Sequence, residues 1–243
     1  MRIVFFGSSH GIPEANRRTS CTLIEVGENR YFIDMGAQAM EQLITRKISI
    51  DSVKGIFITH MHGDHTNGLI SFLDLGSWAF KTIDPVVHLP GPMEDSVEAI
   101  RAWLRCNGHP MREYRFCHVN SGVLYQDDVL TVTAFQTKHN DASFAYLLEA
   151  EGKRVLFSGD LCHKGPQEDF PVSVFDKPLD LAVCESAHFA ATAYLPLFEN
   201  ATNLKKLCFN HYSSRFLPSV LEMMTALPGV EVMRAEDGTE IVI

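Results

Sequence analysis

The apolar run Gly55-Ile56-Phe57-Ile58-Thr59 leads without a break into His60-Met61-His62-Gly63-Asp64-His65, so four metal-capable side chains fall within six residues at the end of a strand-like segment. Donors this dense converge on a common centre only if a rigid element delivers them. If the segment is the loop leaving the carboxyl end of a buried strand, alternate residues His60 and His62 point one way while Asp64 and His65 turn toward a second position. That spacing implies two adjacent metal ions, and two ions need more than four donors. Three later strand-like runs each end in one: His139 follows 129–137, Asp160 follows 155–158 and His211 follows 207–210. Taken singly each reads as an ordinary polar loop residue; beside the histidine motif they read as a set.

The rest of the 243-residue chain can build the core such a site needs, with 46% apolar and 21% charged residues. This excludes disordered, collagen-like and low-complexity chains. Asp+Glu 30 against Lys+Arg 21 leaves a net charge of −9, the wrong sign for binding nucleic acid through a broad cationic face. The 6 scattered cysteines, without a C-x-x-C pair, read as buried thiols of a reducing compartment. The apolar run 3–6 is too short for a signal peptide, and no stretch approaches the ~20 apolar residues that span a bilayer. A cytoplasmic protein without membrane association is expected.

Strand-like runs alternate with segments of helical period at 37–45, 67–80, 94–107, 189–199 and 218–227. Asp127-Asp128, Glu151-Gly152-Lys153 and Glu236-Asp237-Gly238 look like hairpin turns, which implies antiparallel pairing in a mixed sheet system rather than a plain Rossmann arrangement. Leu89-Pro90-Gly91-Pro92 predicts a tight turn ahead of a helix. No linker or repeat interrupts the chain, and one α/β domain over 1–243 is expected.

Beyond the histidine motif, the chain carries Phe6-Gly7-Ser8-Ser9-His10-Gly11-Ile12-Pro13, Ile33-Asp34-Met35-Gly36, Thr137-Lys138-His139, Ser158-Gly159-Asp160 and His211-Tyr212-Ser213-Ser214-Arg215. With these segments the sequence resembles, over essentially its whole length, the metallo-β-lactamase superfamily, and within it ribonuclease Z and its shorter phosphodiesterase relatives. The resemblance implies an α/β (α+β) αββα four-layer sandwich, two sheets face to face with helices outside and the metals in a cleft at one edge. It implies that His60, His62 and His139 hold one metal, that Asp64, His65 and His211 hold the other, and that Asp160 bridges them. Zinc is the expected cation, and manganese or iron suits the same donors. Asp34 matches the family's D-x-G turn, which implies a supporting rather than a ligating role.

Two divalent ions side by side acidify a water toward neutrality and clamp the oxygens of a phosphorus or carbon centre under attack. The protein must still provide a proton for the leaving oxygen and an orientation for the substrate. Glu185-Ser186-Ala187-His188 leaves the strand-like run 181–184 as the ligand loops leave theirs. His188 is the candidate proton donor, a role the resemblance supports from its spacing before His211; a polar residue at a helix start is the alternative. Glu185 would fix the His188 tautomer or support the metal shell. Asp64, His188 and Glu185 make up the expected catalytic set. Ser213 and Arg215 are candidates to meet a phosphate, Arg215 equally a solvated helix-start residue. His10 is either a substrate contact or an exposed turn residue. His88, His109, His118 and His163 have no such context and read as ordinary.

Departures from the ribonuclease Z pattern bear on the substrate. That family inserts a long tRNA-gripping arm between its third histidine and its bridging aspartate. Here His139 and Asp160 are 21 positions apart, and two strand-like runs with their turn use up the gap. The family's Pro-x-Lys-x-Arg-Asn loop reads Pro13-Glu14-Ala15-Asn16-Arg17-Arg18, without its lysine and asparagine, which removes support for a phosphate role. The expected activity is therefore a dinuclear metal-dependent phosphodiesterase cleaving a small or cyclic phosphodiester. A ribonuclease Z-type tRNA 3′-end endonuclease is the alternative, and thioester or lactone hydrolysis uses the same metals. A non-catalytic sensory module is disfavoured because all seven donors are present. The resemblance also implies a homodimer, for which the sequence itself shows no interface stripe.

Overall fold

The computed structural model describes the chain apart from residues 13, 107, 109–111 and 200. Pro13 of the N-terminal motif, His109 and the last residue of the helix expected over 94–107 lie outside the described residues. In chain order the elements are β1 (Arg2–Gly7), β2 (Cys21–Val26), β3 (Asn29–Met35), α1 (Ala39–Thr45), β4 (Val53–Phe57), α2 (Gly63–Trp78), β5 (Val86–Leu89), α3 (Met93–Cys106) and β6 (Arg115–His118). The second half adds β7 (Gly122–Gln126), β8 (Thr131–Thr137), β9 (Ser143–Ala150), β10 (Lys153–Phe157), β11 (Leu181–Ser186), α4 (Leu195–Phe198), β12 (Lys206–Tyr212), α5 (Leu217–Ala226), β13 (Glu231–Arg234) and β14 (Glu240–Val242).

These strands form two sheets, ordered β14-β1-β2-β3-β4-β5-β6 and β13-β12-β11-β10-β9-β8-β7. Strands joined directly pair antiparallel, as β1 with β2, β2 with β3, β7 with β8, β8 with β9 and β9 with β10. Strands joined through helical segments pair parallel, from β3 to β6 and from β10 to β13, because only a crossover returns the chain to the same end of the sheet. Consequently β8, β10, β11 and β12 all end at one edge of their sheet.

Three apolar layers hold the sandwich together. Between the sheets lie Ile3, Phe5, Tyr31, Phe57, Tyr146, Leu148 and Phe157. Outside the first sheet Phe6, Phe32 and Ile56 share a cluster with Leu43 of α1, Leu69 and Phe72 of α2 and Ile100 of α3. Outside the second, Leu156, Ala182 and Phe209 share one with Val220 and Met223 of α5. Central strands thus bury both faces, so Ile3-Val4-Phe5-Phe6 is a continuous apolar run rather than an alternating one. Burying each such large side chain contributes roughly 1.5–3 kcal/mol. The αββα arrangement is the one expected.

Some local expectations need correction. β5, β6 and β7 were not legible: β5 is four residues long, and β6 and β7 are edge strands with mostly exposed or half-exposed residues, which lack the apolar signature of a buried strand. β8 begins at Thr131 rather than 129 because the Asp127 carboxylate accepts the N–H groups of Val129 (2.9 Å) and Leu130 (2.8 Å) and keeps both in the turn. The segment 189–199 is not one helix but a 3₁₀ turn, Ala191–Tyr194, followed by the single-turn α4; Pro196 removes a donor and blocks continuous helical bonding across the junction. Glu236-Asp237-Gly238 joins β13 of one sheet to β14 of the other, so it is a crossover and not a hairpin. No described helix is long and apolar enough to cross a membrane.

His88, ordinary by its sequence context, is only 2% exposed on β5. Its ring stacks on Phe57 with centroids 4.8 Å apart, and neither ring nitrogen has a hydrogen-bond partner. Burial pushes its pKa down to about 4. The unfolded chain, with a histidine pKa of ~6.5, binds more protons than the fold between those two values, so stability is lost as the pH falls from about 6.5 to 4. His88→Phe is expected to remove up to about 3 kcal/mol of that acid sensitivity, measured as the difference in urea-unfolding free energy between pH 7 and pH 4. An unchanged pH dependence would assign the acid loss elsewhere.

Candidate metal centre

The site is built where the carboxyl ends of β4, β8, β10 and β12 come together. The Tyr146 hydroxyl donates to the carbonyl of Ile58 (2.6 Å) and the Phe144 N–H to the carbonyl of Thr59 (3.0 Å), which ties the second sheet to the segment just before His60. α2 begins at Gly63, four residues earlier than its apolar period suggests, with His62 at the cap position. Asp64 and His65 therefore sit in the first helical turn, while His60 and His62 precede it. This is how one short motif addresses two positions.

The first position is marked by His60, His62 and His139. His60 Nε2 lies 3.0 Å from His62 Nδ1, which lies 3.3 Å from His139 Nε2. The second is marked by Asp64, His65 and His211. His65 Nδ1 is 2.7 Å from Asp34 Oδ2, and because a carboxylate only accepts, the proton is on Nδ1. Its Nε2 then faces Asp64 Oδ2 (3.3 Å) and Asp160 Oδ1 (3.6 Å). His211 repeats the logic: Nδ1–H donates to the Ser9 carbonyl (3.1 Å), and Nε2 lies 3.3 Å from Asp160 Oδ1. Asp160 stands between the two groups. Its Oδ2 is 3.7 Å from His60 Nε2 and 3.8 Å from His139 Nε2, while Oδ1 faces His65 and His211.

The donor set fits cations. His65 Nε2 and Asp160 Oδ1 are buried without a hydrogen-bond partner, an arrangement costly in an apo fold and satisfied by a positive charge between them. The ligand atoms of each of the two groups lie within 4.8 Å of one another. Burial opposes charge on His65, but Asp34 and Asp160 outweigh it and raise its pKa well above the ordinary value, so a proton stands where a cation would bind; burial, with the neighbouring His65, pushes His60 down to about 2. Burial opposes charge on Asp160, but His211, His65 and His60 outweigh it and hold its carboxyl well below the usual range. Neutral imidazole and ionised carboxylate are the forms that ligate.

Around the donors stands a supporting frame. Asp34 adopts φ 58, a left-handed conformation that costs about 1–2 kcal/mol outside glycine. Its Oδ1 accepts the Thr59 N–H at 2.8 Å, so one carboxylate fixes both His65 and the approach to His60. Gly36 completes that turn because a Cβ there would lie 1.7 Å from the Asp64 carbonyl oxygen.

Glu185, 1% exposed, accepts the Leu161 N–H (2.7 Å) and the Ala187 N–H (2.9 Å) and lies 2.9 Å from His188 Nδ1. His188 thus carries its Nδ1 proton toward Glu185, with Nε2 3.8 Å from Asp160 Oδ2. Burial works against its charge, but Glu185 and then Asp160 prevail and raise its pKa to about 9. The His188 ring also falls within donor range of His139 and Asp160, which the sequence alone did not suggest.

The remaining candidates are engaged in local contacts. The Ser213 hydroxyl accepts the Arg215 N–H (3.2 Å) and caps the following turn. Arg215 is exposed, its guanidinium 5.2 Å from the centre of the Phe216 ring, with no acidic partner among the described residues. His10 Nε2 lies 3.2 Å from Glu14 Oε1 and takes part in the loop's own bonding. Sequence reasoning missed Asp169, whose Oδ2 accepts the N–H groups of Lys138 (2.6 Å) and Cys162 (2.9 Å) and so fastens the His139 loop to the Asp160 loop. A lone aspartate in an irregular stretch gives no signal. Between His139 and Asp160, β9 and β10 pair around Glu151-Gly152, leaving no length for an inserted arm.

A family model described as anti-Pycsar protein Apyc1 matches residues 1–170. Ribonuclease Z of Rippkaea orientalis (strain PCC 8801 / RF-1) is 30% identical over 160 residues, covering 65% of this chain and 50% of that protein; the chain spans about half the length of this curated relative. Two solved structures share the fold at lower identity. The short form of human tRNase Z has a TM-score of 0.77 at 20% identity, covering 100% of this chain and 99% of that one. The metallo-β-lactamase fold protein YhfI from Bacillus subtilis has a TM-score of 0.79 at 15% identity, covering 99% and 98%. The architecture is accordingly the metallo-β-lactamase fold in its ribonuclease Z-like branch, and the chain belongs to the anti-Pycsar protein Apyc1 family.

Proposed function

We propose that the protein is a dinuclear metal-dependent hydrolase that cleaves a small or cyclic phosphodiester. The observation that carries this reading is the Asp160 carboxylate, with one oxygen toward His60 and His139 and the other toward His65 and His211. In this reading His60, His62 and His139 hold one cation, Asp64, His65 and His211 the second, and Asp160 both. Two divalent ions, zinc or the similarly sized manganese or iron, supply electrophilic catalysis and an acidified water when bound.

The chain's own residues supply the rest. Asp34 and the Ser9 carbonyl hold His65 and His211 in the tautomer that leaves Nε2 free. Glu185 holds Nδ1–H of His188, so a proton on Nε2 is aimed at the centre, where a leaving oxygen needs it. In this reading Arg215, exposed and without an acidic partner among the described residues, would meet a phosphate oxygen.

The β9–β10 hairpin in the span between His139 and Asp160 and the net charge of −9 favour a small diester over tRNA. A tRNA 3′-end endonuclease is the second reading, favoured by the 30% identity to ribonuclease Z. Turnover of bis-p-nitrophenyl phosphate beside a thioester tests the chemistry: the diester alone should react, and thioester-only turnover would sink the phosphodiesterase reading.

A further inference from the structure

We infer that Arg17 is a positioning residue for the second cation group, acting through the backbone of His211; this rests on the ligand role proposed for His211. His211 adopts φ 50, a left-handed conformation that is unfavourable for a residue with a Cβ and persists only where its surroundings impose it. Its two local bonds run to the loop after β1: the N–H donates to the Ser8 carbonyl (3.0 Å) and Nδ1–H to the Ser9 carbonyl (3.1 Å). Those carbonyls belong to no strand interior, so they fix His211 only as firmly as they are themselves fixed.

Arg17 fixes them. Its Nη2 donates both to the Ser8 carbonyl and to the Tyr212 carbonyl, the latter at 3.0 Å, and its Nε donates to the Ser8 hydroxyl at 3.2 Å. The guanidinium carbon lies 3.7 Å from the centre of the Tyr212 ring. Nη1 donates to Glu14 Oε2 (2.8 Å), and Glu14 Oε1 accepts the Ser214 N–H (2.8 Å). One guanidinium with its carboxylate therefore clamps the chain at Ser8, Tyr212 and Ser214, around the strained ligand. The side chain is 12% exposed and four of its five N–H donors are engaged inside the protein, which suits a structural clamp better than a substrate contact. Lysine could not replace it, having neither the planar fork nor the stacking face.

Metal titration of the purified apo-protein by calorimetry with Mn2+ tests this, alongside circular dichroism to verify folding. Wild type should take up two cations, and His139→Ala and His211→Ala assign the two binding steps. Arg17→Ala and Arg17→Lys should both weaken the step that His211→Ala removes by at least tenfold and change the other by less than threefold. Glu14→Gln, which keeps the side-chain shape, should weaken the same step by a smaller factor, so the idea is tested even if Arg17→Ala does not fold. Equal loss at both steps, loss at neither, or full rescue by lysine would overturn the role of Arg17. A wild-type protein that takes up fewer than two cations would instead overturn the dinuclear reading itself.

Discussion

Asp160→Asn is expected to lower turnover of a small phosphodiester by at least about a thousandfold, on the order of 4 kcal/mol of transition-state stabilisation. The asparagine keeps the shape and removes the charge. Asp160 is the side chain that faces both donor groups, and its carboxyl is surrounded by His60, His65, His139 and His211. Without its charge, a cation at either position loses an anionic donor, and a pair of cations loses the group between them. Metal content by elemental analysis should fall below two per chain while the circular dichroism spectrum is retained. An Asn variant with two metals and wild-type turnover would contradict the bridging role.

His188→Ala is expected to lower kcat by about 100-fold to 10,000-fold for a diester with an alkoxide leaving group, the range for loss of a positioned general acid. The physical reason is the fixed ring: Glu185 holds Nδ1 at 2.9 Å and Nε2 points inward. The loss should be much smaller for bis-p-nitrophenyl phosphate, whose leaving group needs no proton. A purely structural role would not produce that difference between substrates. Metal content should be unchanged; loss of a cation would make His188 a ligand, as its distance from the His139 and Asp160 donors allows, and an unchanged kcat would end the proton-donor assignment.

Legibility of the site in the sequence followed the distance over which its bonds are made. His60, His62, Asp64 and His65 announce themselves because a dense donor cluster follows an apolar run. His139, Asp160 and His211 are readable only as strand ends beside that cluster. Asp169 is invisible because its partners are main-chain groups of Lys138 and Cys162, and the clamp of Arg17 because, apart from nearby Glu14, its partners at Ser8 and Tyr212 are brought near only by the tertiary fold. The same logic covers the elements. Buried strands such as β1 and β10 are written as apolar runs, whereas the edge strands β6 and β7 take their order from neighbours. The start of α2 was hidden because Gly63-Asp64-His65-Thr66 carries no apolar period: those positions are chosen for donors, not for packing.

The central claim, a two-cation phosphodiesterase for small substrates, is tested most directly by extending the substrate comparison. Purified protein with its metal content quantified would be given a 2′,3′-cyclic nucleotide and a 3′-extended tRNA precursor, each with wild type and Asp64→Ala. Cleavage of the cyclic ester alone is expected, lost in the variant because Asp64 belongs to the second donor group. Efficient site-specific cutting of the precursor by wild type would contradict the claim, showing that tRNA is gripped without an arm between His139 and Asp160.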